Sequence, residues 1–145
     1  MSQGTSSGAR TRARELLVQA LYQKQIAGHE CAELLAQFHE QAAYERVDQA
    51  FFDEALPEIC KSQQALEQTI DGLIDRPLDQ LDPIELSVLL IGVYELESRI
   101  DVPYKVVINE AVALAKKFGA SESHKYINGV LDKAARQLRQ AETAG

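Results

Sequence analysis

The chain has 145 residues, room for one domain or two small helical subdomains. Hydrophobic residues make up 46% and charged residues 26%, and no apolar stretch approaches the roughly 20 residues that span a bilayer, so a soluble globular class is expected. The formal charge of -7 is unevenly spread: residues 1–29 hold four bases and one acid, residues 30–101 hold 17 acids and four bases, and residues 102–145 hold seven bases and four acids. Basic ends around an acidic middle suit two partners of opposite charge, although acidic surface also serves solubility.

The opening MSQGTSSGAR lacks the apolar segment of a secretory signal, which predicts a cytoplasmic protein, and residues 1–8 read as a disordered tail. A helix is predicted from about Ala9 to Ala27, ending before Gly28. CAELLAQFHEQAAY reads as a second helix with Leu34, Leu35 and Phe38 on one side. Asp48 is a candidate N-cap for an apolar pattern through Phe51, Phe52, Leu56 and Ile59 to Leu66, Ile70, Leu73 and Ile74, with a kink or break expected at Pro57. Pro77 and Pro83 punctuate RPLDQLDPIE, where one short helical turn can sit. Asp82, Pro83 and Glu85 form a strong helix start, and PIELSVLLIGVYELES is apolar nearly all round, as a buried central helix should be. A further helix runs from after Pro103 to Gly119, expected as a left-handed stop. Ser121 is the expected cap of the last helix, with the tail after Gln140 frayed. The fold class is therefore all-α, about seven helices joined by short connections.

On a helical wheel of about 100° per residue, Ala13, Leu16, Leu17, Ala20 and Leu21 share the core arc of the first helix. Tyr22 falls roughly opposite, beside Thr11, Glu15 and Val18 and near Arg14, and is expected to be exposed. Guanidinium groups pair with phosphate, and a displayed ring offers a stacking platform for an unpaired base, so this face suits single-stranded RNA. A tyrosine packed against another helix is the competing reading. In the last helix Tyr126 lies at the edge of the core face, next to Lys125 and beside Glu122 and Lys133, and could stack a second base. No catalytic set is found: His29, His39 and His124 have no metal-like spacing, and neither a P-loop nor a dinucleotide fingerprint occurs. No metal and no cofactor is expected. Cys31 and Cys60 have neither metal-like nor redox-like spacing and read as buried free thiols.

RARELLVQALY, VPYKVVINEAVALAKKFG and SHKYINGVLDKAA together resemble the NusB family of bacterial transcription antitermination factors, from about Arg10 to Ala135. The resemblance implies a non-enzymatic protein with one helical domain over 9–141, made of two small packed bundles, 9–76 and 77–141. It implies pairing with NusE, a basic ribosomal small-subunit protein, and binding to boxA RNA in nascent ribosomal RNA transcripts. Other Nus factors and RNA polymerase would then be indirect partners. By position, the RNA set would be Arg10, Arg12, Arg14, Gln19, Tyr22, Glu122, Lys125 and Tyr126. The NusE set would be Glu85, with Asp79, Asp82 and Arg76. Two departures stand out: Thr11 interrupts an arginine run found in some members, and Glu122 stands where Asp is frequent. The same fold also precedes the catalytic domain of a ribosomal-RNA cytosine methyltransferase, for which a chain ending at Gly145 has no room. A helical protein–protein module that never touches RNA is the alternative function.

Overall fold

The computed structural model describes residues 7–144. Among them every regular element is helical: α1 (Ser7–Ala27), α2 (Cys31–His39), α3 (Gln49–Lys61), α4 (Gln63–Asp71), α5 (Pro83–Ser98), α6 (Tyr104–Phe118), α7 (Ser123–Leu138) and α8 (Gln140–Thr143). Two short 3-10 helices, Ala42–Arg46 and Leu78–Gln80, lie between them. The expectation for residues 1–8 lies mostly outside the described residues, but Ser7 and Gly8 already belong to α1. The chain divides into two compact units that meet at Lys61 and Ser62. The division expected after residue 76 differs because α4 packs on α5, with Leu66 and Ile70 buried.

In the first unit α1, α2 and α3 enclose Leu17, Leu21, Leu34, Phe38, Phe52, Leu56 and Ile59, all essentially without exposure. Each such side chain contributes about 1.5–3 kcal/mol. The second helix ends at His39, and the residues beyond it tighten into the first 3-10 helix. That turn brings Tyr44 against Phe52, with ring centroids 6.0 Å apart, and its hydroxyl donates to Asp53 at 2.7 Å. Burial and the Asp53 carboxylate push the Tyr44 phenol up to about 12. Asp48 caps α3 as expected, its carboxylate accepting from the Phe51 N–H at 3.1 Å. Helix α3 continues through Pro57 without a break. Burial of Ala55, Leu56 and Ile59 around the proline offsets its missing donor, and the break comes instead at Ser62.

Cys31 and Cys60 are joined rather than free, their Cα atoms 6.4 Å apart. Helices α2 and α3 run antiparallel: Phe38 near the end of α2 meets Phe52 near the start of α3, at 6.3 Å between centroids. The same register sets the first residue of α2 beside the end of α3.

In the second unit α5 is the central helix, buried without interruption from Ser87 to Leu96. Its start has the expected capping box, with the Glu85 N–H bonded to the Asp82 carboxylate at 2.8 Å. Gly92 lets α7 approach: a Cβ there would stand 2.8 Å from Leu131 Cδ1. Gly119 has extended φ, not the expected left-handed one; a Cβ there would crowd the Ala115 carbonyl at 2.8 Å. Ser121 does not cap α7, whose N-cap position is Glu122.

The tail is not frayed. Arg139 is buried, and its Nε donates to the Leu96 carbonyl at 2.7 Å while Nη2 donates to the carbonyls of Glu95 (3.1 Å) and Arg99 (3.0 Å). One guanidinium thereby adds donors to three carbonyls at the end of α5, where Glu95 also accepts from the Arg99 N–H and Arg99 from the Val102 N–H. Glu142 of α8 accepts from the Tyr104 N–H at 2.9 Å and from Arg139 Nη1 at 2.6 Å. These donors, the Tyr104 N–H foremost, hold its carboxyl below the ordinary 4.5. A depressed carboxyl stabilises above its unfolded value, and that contribution is lost as pH falls through the folded one. NMR signals of residues 140–143 are therefore expected to shift toward random coil as pH falls below the ordinary carboxyl value, ahead of α5. Unchanged signals over that window would show that the carboxylate does not anchor α8.

Candidate nucleic-acid and partner interfaces

The buried arc of α1 is wider than five apolar residues. Val18, placed on the outer face by the wheel, is fully buried. Opposite it, Arg12, Gln19, Tyr22 and Ile26 form an exposed stripe that also holds the half-exposed Glu15. Tyr22 is 41% exposed, as expected, and Ile26 is 61% exposed one turn further on. Ile26 was missed by sequence reasoning, although its spacing of four from Tyr22 was the available signal.

The three arginines differ in role. Arg12 is exposed, and its Nε donates to the Arg46 carbonyl at 2.8 Å, which sets the direction of the guanidinium. Arg10 is half-exposed and paired with the buried Asp48 carboxylate at 3.0 Å, its guanidinium 4.8 Å above the Phe51 ring. Arg14 is only 3% exposed and lies over the same ring at 5.2 Å. The expectation of three displayed cations is thus corrected for Arg14. The start of α3 brings an aromatic face to α1, and a desolvated guanidinium over such a face is held firmly.

The second unit gathers another set around the start of α7. Tyr126 is half-buried, and the Arg76 guanidinium covers one face of its ring at 4.2 Å. Arg76 is in turn paired with Asp75 at 3.2 Å, which lowers the Asp75 carboxyl. The Tyr126 hydroxyl is buried and lacks a well-formed hydrogen bond. Burial pushes its phenol up, and the Arg76 charge opposes that. The ring is therefore not an open platform on both sides. Lys125 and Glu122 pair with each other at 2.9 Å on open surface. Glu85 joins this set rather than standing apart, since its second carboxylate oxygen accepts from the Ser123 hydroxyl at 3.0 Å. One carboxylate caps α5 and clips the first residue of α7 to it.

The residues expected to meet a basic partner are accordingly separated. Arg76 and Glu85 lie at the Tyr126 cluster, and Asp82 serves as the α5 cap. Asp79 instead faces an open groove of about 510 Å³ with Glu67 and Asp71 on its rim and Pro77, Leu78 and Leu86 among its lining. Glu67 and Asp71 were missed by sequence reasoning; four residues apart on one helix, they share a face. Among the described residues no group of three His, Cys, Asp or Glu side chains could hold a metal ion. Nor is any helix there long and apolar enough to cross a membrane.

The profile of the NusB family matches residues 11–136. The chain belongs to the NusB family. The transcription antitermination protein NusB of Hahella chejuensis is 47% identical over 135 residues, covering 93% of this chain and 91% of that protein. The protein of the same name from Marinobacter nauticus is 43% identical over 137 residues, covering 94% and 87%. The solved structure of T. maritima NusB superposes with a TM-score of 0.80 at 25% identity, covering 93% of this chain and 94% of that one. The all-α fold is thus that of a NusB protein, and the family is one of transcription antitermination.

Proposed function

We propose that this NusB protein is a non-enzymatic, cytoplasmic RNA-binding adaptor that pairs with NusE and binds boxA RNA in nascent ribosomal RNA transcripts. With other Nus factors it helps RNA polymerase resist termination. The α1 stripe supports this reading most directly: a cation, an amide and a tyrosine ring stand exposed on one face of the helix, with the half-exposed Glu15 among them. Arg12 supplies the principal phosphate contact there, Arg10 a secondary one, and Gln19 and Tyr22 meet a base. Arg14 supports Arg10 through the shared Phe51 ring rather than touching phosphate. In the second unit Lys125 holds phosphate, Tyr126 offers its uncovered ring face, and Glu122 exchanges Lys125 with the RNA. The acidic groove at Asp79, Glu67 and Asp71 receives basic side chains of NusE, while Glu85, Asp82 and Arg76 hold the neighbouring surface in shape.

The test is a titration of fluorescent boxA RNA with and without NusE, at several salt concentrations. Binding is expected to weaken linearly in log–log form as salt rises, because phosphate contacts release counterions. Arg12→Ala is expected to flatten that slope by about 1. Equal affinity for boxA and an unrelated strand with NusE present, or an unchanged slope in Arg12→Ala, sinks the proposal. Binding of NusE alone, with no RNA affinity, would favour the protein–protein module instead.

A further inference from the structure

Gly129 has no reason within the fold to be glycine. It sits mid-helix in α7, where glycine is a poor helix former, and its φ is not in the left-handed region. A Cβ built there meets no atom within 4 Å, whereas one at Gly92 would collide with Leu131. Glycine lets another molecule come close to a helix backbone, and Gly129 is exposed.

Its surroundings say what that is. Gly129 opens onto a trough of about 260 Å³ whose lining includes Asp75, Lys125, Tyr126, Val130 and Lys133. The trough continues along α7 past Lys133 to Arg136. Lys125, Gly129, Lys133 and Arg136 fall within about 80° of one another on the helical wheel, so the bare backbone lies inside a cationic stripe. Lys125 and Arg136 have carboxylate partners, Glu122 at 2.9 Å and Asp132 at 2.8 Å, but both are exposed pairs. Such pairs contribute little and are screened by salt, so a phosphate can displace the carboxylate. The apolar floor at Tyr126 and Val130 suits the faces of sugars and bases.

We propose that the α7 trough is a second RNA subsite, in which the sugar–phosphate backbone of a single strand crosses Gly129 closely and its phosphates meet Lys133 and Arg136. It rests on the RNA reading above and extends the strand beyond Tyr126 and Lys125.

Gly129→Ala separates this from a structural role because the two effects have opposite sign. Alanine fills open space in a helix, so Tm is expected to rise by about 2–6 °C. Affinity for a boxA strand extended by a few nucleotides on each side is expected to fall by about tenfold, since a methyl group holds the backbone off. Lys133→Gln and Arg136→Gln are each expected to reduce the salt slope by about 1. Tyr22→Ala, measured on the same RNA, reports on the first unit alone. If the parent and Tyr22→Ala bind this RNA no better than an unrelated strand, the RNA reading itself fails, and the subsite with it. If Tyr22→Ala weakens binding but Gly129→Ala binds like the parent, only the subsite is overturned. A lower Tm in Gly129→Ala assigns the glycine to the fold. Loss of NusE binding with RNA binding intact assigns the trough to a protein; either result overturns the proposal.

Discussion

Tyr22→Ala is expected to bind boxA RNA about 5- to 150-fold more weakly than the parent while melting within about 2 °C of it. The range corresponds to about 1–3 kcal/mol for one stacked base. The small stability change follows from geometry: at 41% exposure much of the ring area that a core tyrosine would bury is already in water. Tyr22→Phe keeps the ring face and is expected to retain most of the affinity. Tyr126→Ala should differ, because that ring is half-buried under Arg76 and its loss also unseats the guanidinium. It is expected to lower both RNA affinity and Tm. The paired measurement is thermal melting beside an RNA titration. If Tyr22→Ala melted several degrees lower yet bound RNA like the parent, Tyr22 would be a packing residue and α1 would lose its central contact.

Arg139→Ala is expected to cost about 3–5 kcal/mol and to lower Tm by ~10 °C or more. The substitution removes one buried guanidinium and takes a donor from the carbonyls of Glu95, Leu96 and Arg99, of which Glu95 and Arg99 keep the backbone N–H groups of Arg99 and Val102. The cost lies chiefly in the emptied guanidinium site and the Leu96 carbonyl rather than in the ion pair with Glu142. Glu142→Gln keeps the guanidinium in place and is therefore expected to lower Tm by only about 1–3 °C. Arg139→Lys retains the charge but not the planar fork that reaches separate carbonyls, and should recover less than half of the loss. A melting curve for Arg139→Ala within about 2 °C of the parent would mean that water satisfies the end of α5 equally well.

The elements that sequence reading located well are those specified by nearby residues. Asp82, Pro83 and Glu85 build the start of α5 from three neighbours, and the unbroken apolar run after them leaves a buried central helix as the only stable outcome. The exposed place of Tyr22 follows in the same way, since wheel position depends only on helical periodicity.

Other features depend on residues distant in sequence. Periodicity sets Arg14 about 20° from buried Leu21 and Arg12 about 20° from exposed Gln19, but a cation at the edge of the core face is covered only once α3 brings Phe51 against it. The place of Arg76 over the Tyr126 ring depends likewise on α7, 50 positions further on. Pro57 would end an isolated helix, but tertiary burial of its neighbours carries α3 through. Cys31 and Cys60, 29 positions apart, meet only because α2 and α3 pack antiparallel in one register. Periodicity and capping act over three or four residues, so the sequence alone determined the central helix and most core faces, but not the burial of Val18, the break at Ser62 or the helix α8. Ion pairs, stacked rings and helix contacts act over a few ångströms in space, so the tertiary structure decided which charges and rings are still available to an RNA strand or a partner protein.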